Sequence, residues 1–319
     1  MTGDAVMRRR RGGQLSAITV TAALAVAGCR VGSAGDATTF ETVAAAESDT
    51  TNTTVNDSRD PVAVECSAEA LGADDVYSFS TAYLVVDGAL GGVCLGEGDA
   101  RLIDAWDTLS TIAPEEQLAD LGIFAAFDAD EPGDEITLAF VNALDDDGSS
   151  FQMSINLESY VDDPAEALLT IAHEFAHVFT SMPWQLDRTV EASENCATWD
   201  NGEGCFLDDS LMFRWIEAFW GDGLIDQIDP VDEPSHADGV ERCDEDAGFF
   251  GAYAASHPEE DFAEAFSAYV FDLEPDRAEQ QERLDWMAAQ PGLAEFRDRA
   301  EAAGLTPVRN NFDVCGLPG

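Results

Sequence analysis

The segment His173-Glu174-Phe175-Ala176-His177 sets two imidazoles four residues apart with a carboxylate between them. On a helix, positions i and i+4 share one face, so both rings converge on one point. A zinc ion takes neutral imidazole nitrogens at about 2.0–2.1 Å and lowers the pKa of a bound water to about 7. A glutamate beside the first ligand is placed to accept that proton as a general base. The chain has only 4 histidines in 319 residues, so chance is a poor explanation for the pair. His173 and His177 are predicted to bind one Zn2+ per chain, with Glu174 as the base.

A helix must carry this segment. Asp163-Pro164 supplies an N-cap followed by a proline at the first helical position, and the pattern continues to about Thr180. Leu168, Ile171, Phe175 and Val178 form one apolar stripe, while Leu169, His173, Ala176, His177 and Thr180 form a second face. The helix is thus expected to be almost wholly buried. The third ligand must come from elsewhere. A metzincin pattern fails, because Thr180 and Pro183 stand where its glycine and histidine belong. A thermolysin-like downstream glutamate is also missing; Ala197 holds that place, with Glu191 and Glu194 as imperfect neighbours.

Pro258 opens a second helix reaching about Phe271, with Glu260 and Glu264 on one face and Phe262, Phe266 and Tyr269 on the other. A carboxylate turned inward is costly unless it meets a cation, so either glutamate is a candidate ligand. Together with His173-Glu174-Phe175-Ala176-His177, the stretch from Tyr253 to Phe266 resembles the zinc-peptidase domain of the anthrax lethal factor-like gluzincins. In that group a tyrosine precedes the glutamate ligand by seven residues, and another glutamate follows one turn later. The resemblance covers these two short segments. It implies that Glu260 binds the metal, Glu264 supports a histidine ligand from behind, and Tyr253 stabilises the oxyanion. His257 is open to two readings, an oxyanion partner or an ordinary loop histidine.

The elements around these segments predict an α+β, zincin-like fold: a small mixed sheet packed on the active-site helix, with a helical C-terminal part. Strands are expected over 76–86, 122–127, 136–141 and 151–157, the last as an edge able to hold an extended peptide. Leu102, Ile103, Trp106 and Leu109 space a helix over 99–111, and Pro114 is expected to start a short one. Asp145-Asp146-Asp147-Gly148 reads as a solvated turn rather than a calcium loop. Residues 181–250 read as a long insertion with an amphipathic helix near 206–220 and an acidic, proline-rich loop. Two helices near 275–290 and 293–303 close the chain.

Arg8–Arg11 precede an apolar stretch from about Leu15 to Ala27 that is too short to span a bilayer and ends at Val26-Ala27-Gly28-Cys29. This resembles a bacterial lipoprotein signal, which implies removal of 1–28 and lipidation of Cys29. Residues 29–61, poor in large apolar side chains, are expected to be a disordered tether to the outer face of the cell membrane, with the folded domain over 62–319. The other six cysteines (Cys66, Cys94, Cys196, Cys205, Cys243 and Cys315) suit disulfides in an oxidising compartment. Locality favours Cys66 with Cys94 and Cys196 with Cys205, leaving Cys243 with Cys315, although fifteen pairings are open to six cysteines.

With 64 acidic residues against 15 basic ones, none of them lysine, the net charge is −49. Such a chain repels nucleic acid and anionic lipid, leaving a peptide or protein substrate and the lipid anchor as the expected partners. The acidity fits a solvated surface, or a preference for cationic substrates. Peptide-bond hydrolysis is the leading expectation. The alternative is a non-catalytic zinc-binding surface lipoprotein on the same scaffold, against which the presence of Glu174 argues.

Overall fold

A computed structural model of the chain describes residues 5–10 and 66–312, apart from 131–134, 191–192, 222, 230–233, 235, 247 and 310–311. Residues 15–64 form a unit of their own, which lies outside the described residues along with Cys29. The other unit is α+β. Its elements begin with β1 (Ala5–Arg10), β2 (Tyr77–Val86), β3 (Ala89–Leu95), α1 (Ala100–Ile112) and α2 (Glu115–Leu118). β4 (Leu121–Ala129), β5 (Glu135–Ala143), β6 (Phe151–Asn156), α3 (Leu157–Asp162) and α4 (Pro164–Thr180) follow. The remainder is β7 (Leu186–Asp187), β8 (Cys205–Phe206), α5 (Leu211–Phe219), α6 (His236–Glu245), α7 (Pro258–Val270), α8 (Ala278–Ala288) and α9 (Leu293–Ala302).

Six strands make one mixed sheet in the order β1-β5-β6-β4-β2-β3, in which only β4 and β6 run parallel. Every residue of β6 is buried. The expectation that 151–157 would be a peptide-accepting edge is therefore corrected. β6 lies between β5 and β4, and Leu157 already belongs to α3. Gln152 and Ser154 give β6 the alternation of a half-solvated strand. They are instead satisfied internally: Gln152 Nε2 donates to Ser154 Oγ at 2.8 Å and to the Leu71 carbonyl at 3.0 Å. The outer neighbour of β6 is β5, whose far side pairs antiparallel with β1. That pairing matches Met7 to Ala139 and Arg8 to Thr137, skipping Leu138.

Two helices lie on the sheet. Trp106 of α1 meets Phe124 of β4 edge to face at 5.3 Å. The Asp163 carboxylate caps α4 by accepting from the Ala165 and Glu166 amides, and Pro164 holds the first helical position. From Leu169 to Thr180 every residue of α4 is buried, because the sheet covers one side and α7 and α9 the other. Phe179 packs on Phe266 at 5.1 Å, and Phe266 on Phe296 at 5.1 Å. Segment 181–250 contributes Phe206, Trp215, Trp220 and Phe249 to the same core. Its expected acidic loop contains α6. Pro114 caps α2 rather than beginning it.

Cys66 is joined to Cys94 and Cys196 to Cys205, and Cys243 is also disulfide-bonded; Cys315 lies outside the described residues. Disulfides persist in oxidising compartments. Among the described residues no helix is long and apolar enough to cross a membrane.

One buried ionic cluster fixes α7. Asp261, fully buried, accepts from the indole N–H groups of Trp215 and Trp220 at 3.0 Å each and from Arg283 Nε at 3.1 Å. The Arg283 guanidinium lies 4.8 Å from the Phe249 ring centroid and 4.9 Å from that of Phe219. Burial pushes Asp261 up to about 6 against the opposing pull of Arg283 and both indoles. Asp261→Ala leaves the buried Arg283 with only the partly exposed Asp246 carboxylate, 3.7 Å away, as counter-charge and is expected to cost about 3 kcal/mol. An apolar pair of similar volume at positions 261 and 283 should recover most of that loss. Urea unfolding of the three proteins decides it; an unchanged midpoint for Asp261→Ala would show that the pair stabilises nothing.

Candidate metal centre

α4 places His173 and His177 one turn apart, with ring centroids 4.9 Å apart and their Nε2 atoms separated by 3.1 Å. α7 crosses behind them. Its register is held partly by Ser267 Oγ, which donates to the Leu169 carbonyl of α4 at 3.0 Å. Pro258 begins α7 and His257 stands at its N-cap, so Glu260 falls in the first turn, facing the histidines. Glu260 Oε2 lies 2.9 Å from His173 Nε2 and 3.6 Å from His177 Nε2. None of the three residues is more than 4% exposed.

These three atoms are the one group among the described residues with the arrangement of a metal site. Tetrahedral ligation at about 2.0–2.1 Å puts ligand atoms roughly 3.3 Å apart. The observed 2.9, 3.1 and 3.6 Å bracket that value. Two imidazole nitrogens and a carboxylate oxygen suit a divalent transition ion. The residues therefore fit a metal ion.

The electrostatics agree. Burial alone would raise the Glu260 carboxyl, but the charge of His177 and hydrogen bonds from both histidines outweigh it and hold the group below the ordinary carboxylate range. Burial lowers His173 more than its contact with Glu260 raises it. A neutral imidazole is the form that a metal requires.

The other expected residues surround this triangle. Glu174 is fully buried in the same turn of α4 as His173. Glu264 is buried one turn beyond Glu260. The Tyr253 ring lies 6.1 Å from that of His173, centroid to centroid, and packs on Leu138. His257 is 8% exposed. The short turn Ala254–Ser256 between Tyr253 and His257 is tied to α6 by Arg242, which donates to the Ala255 and Ser256 carbonyls. Gly239 of α6 permits this approach, since a Cβ there would fall 1.6 Å from the Ala252 carbonyl oxygen. Glu194 is exposed and outside the group, and Glu191 lies outside the described residues.

Sequence reasoning missed Glu259. It keeps some exposure as a residue, yet one carboxylate oxygen is buried without a partner among the described residues. Burial and the neighbouring Glu260 push it up to about 8, against His177 and a hydrogen bond from Asn201. Asn201 belongs to the loop closed by Cys196–Cys205, so that loop reaches Glu259 at the start of α7. The run Glu259-Glu260-Asp261 offers three adjacent acids, and only their separate faces on α7 sort them.

Below pH 6.5 an unfolded His173 takes a proton that the buried one resists, so the unfolded state binds more protons. The metal-free protein should therefore lose stability as pH falls from about 6.5. Glu260, held low, extends the loss to more acidic pH: its contribution is present above its ordinary value and disappears as pH falls through the depressed one. Urea midpoints of chelator-treated protein at pH 7.5, 6.5 and 5.5 should decline in that order, whereas a flat series would contradict the linkage. Added divalent metal should raise the midpoint, and less so at pH 5.5.

Comparison with protein-family models, with curated proteins and with solved structures finds no match for this chain, so the reading of the site stands on its own geometry.

Proposed function

We propose that this chain is an exported zinc metallopeptidase on a zincin-like scaffold, held to the outer face of the cell membrane by a lipid at Cys29. The observation that carries the reading is the buried triangle of His173 Nε2, His177 Nε2 and Glu260 Oε2, with Glu174 in the same helical turn. A closed structural zinc site has no use for a carboxylate in that position, whereas hydrolysis needs a base. Export is supported by the disulfides and by the arginine-led apolar segment ending at Cys29.

Zinc, when bound, supplies a Lewis acid that acidifies water and polarises the scissile carbonyl. Glu174 takes the proton from the attacking water and delivers it to the leaving amine. The Tyr253 hydroxyl, whose ring lies beside His173, donates to the carbonyl oxygen as negative charge develops there. Glu264 supports a histidine ligand from behind, and His257 stands close enough in sequence to Glu260 to assist at the oxyanion. With residues 1–28 removed, the outer side of β5, which residues 5–10 otherwise pair with antiparallel, is open to an extended substrate.

Mass spectrometry of the intact purified protein should find one zinc per chain, strongly reduced in Glu260→Ala. Glu174→Gln should retain the zinc and lose peptidase activity by about 10²-fold or more. Full activity in Glu174→Gln would overturn the mechanism, and an intact fold that takes no zinc would overturn the whole reading.

A further inference from the structure

The two ends of the main sheet differ. At one end β3 is largely exposed, carries the adjacent glycines Gly91 and Gly92, and is stapled through Cys94. At the other end β5 is buried from Thr137 to Val141, and β1 lies along its outer side. β1 runs antiparallel to β5, with Ala5 opposite Val141 and Arg10 opposite Glu135. It also packs against α4, the helix that carries His173 and His177. The residue skipped in this pairing, Leu138, packs on Tyr253, whose ring lies 6.1 Å from that of His173. Whatever occupies the outer side of β5 therefore passes beside the candidate metal centre.

A bare strand edge presents unpaired N–H and C=O groups, a template for any extended chain that reaches it. Here the cover is the segment Ala5–Arg10, which leads into the apolar stretch that ends at Cys29. In a chain of net charge −49, the run Arg8-Arg9-Arg10-Arg11 is drawn towards the acidic remainder. Because the segment is covalently attached, its pairing is intramolecular, and a free peptide must exceed its effective concentration to displace it. Cleavage before Cys29 takes this strand away with residues 1–28, and the sheet then ends on β5 itself.

We infer that residues 5–10 are an internal occupant of the β5 edge: the unprocessed chain is closed to extended peptides there, and loss of residues 1–28 opens the edge beside the metal centre. Hydrolysis of the Gly28–Cys29 bond by a processing peptidase consumes one water and leaves a carboxylate on Gly28 and an amine on Cys29. The same event thus frees the mature end of the chain and uncovers β5. The inference rests on the export and peptidase readings for its meaning, yet occupancy of the edge is a binding property and is tested without hydrolysis.

The test uses the full-length chain carrying Glu174→Gln, with and without the pair Val6→Pro and Met7→Pro. Neighbouring strand residues direct their backbone groups to opposite sides, so one of the two prolines removes an N–H from the β5 side while every arginine is kept. The probe is a fluorescently labelled peptide of residues 4–12. Anisotropy at moderate salt should show it binding the proline-bearing chain at least tenfold tighter than the chain with its native strand. A second probe with the same two prolines keeps its charge and should bind the proline-bearing chain at least tenfold more weakly than the first. Equal binding of the first probe to both chains overturns the inference. Equal binding of the two probes also overturns it, since charge attraction alone would then account for the contact. So does absence of binding to a proline-bearing chain whose circular dichroism is unchanged. Failure of the peptidase reading would appear separately: the proline-bearing chain with Glu174 restored would cleave no peptide although the probes discriminated as expected.

Discussion

The Glu260 carboxylate sits at 1% exposure between two helices, and an isolated charge in that environment costs several kcal/mol. The fold is arranged so that this carboxylate always faces the histidines. Ser267 ties α7 to the α4 backbone, Phe179 and Phe266 pack between the two helices, and Asp261 anchors the opposite side of α7 to Arg283. Adjacent residues on one turn thus serve separate ends: Glu260 faces His173 and His177 while Asp261 grips the helical layer behind. The sheet then gives α4 a rigid floor, so the three atoms that could hold a metal ion are already gathered. Such preorganisation keeps the reorganisation cost of metal binding small.

Local signals were the legible ones. Asp163-Pro164 and the apolar stripe placed the start of α4 and its end near Thr180, and Pro258 placed the start of α7. The face argument brought Glu260 and Glu264 forward together and only the resemblance preferred Glu260, because no linear spacing connects residue 260 to residue 173. What stayed hidden depended on distant pairing. The polar alternation of Gln152, Ser154 and Asn156 looked like an exposed strand, but the residues that satisfy or cover it, such as Leu71, lie far away in sequence. Asp261 gave no local sign of its role, since its partners are 22, 41 and 46 residues distant. Helix α6 escaped because its segment is polar and carries few apolar residues to mark a period.

The chain uses its few cations sparingly. With no lysine and 15 arginines, positive charge is scarce, and the described arginines act mainly as ties. Arg242 fixes the turn before α7, Arg299 binds the Ser110 and Thr111 carbonyls at the end of α1, and Arg309 reaches the Asp163 carboxylate at the start of α4. Arg188 joins Glu203 and the Ser181 carbonyl, linking the Cys196–Cys205 loop to the end of α4. A planar fork of donors suits such bridging better than an ammonium does. The excess of carboxylates is left to the solvent, where mutual repulsion favours solubility over compactness.

The Cys66–Cys94 bond closes a loop of 28 residues in sequence separation that contains all of β2 and most of β3. A pull on the chain upstream of Cys66 therefore does not unzip these strands one hydrogen bond at a time. Tension crosses the sulfur bridge and enters at Cys94, near the end of β3 and shortly before α1. The enclosed strands are mechanically bypassed, and the layers that hold α4 and its histidines lie beyond the point where the load arrives. The interior around α4 is in this way insulated from tension applied to the chain before Cys66.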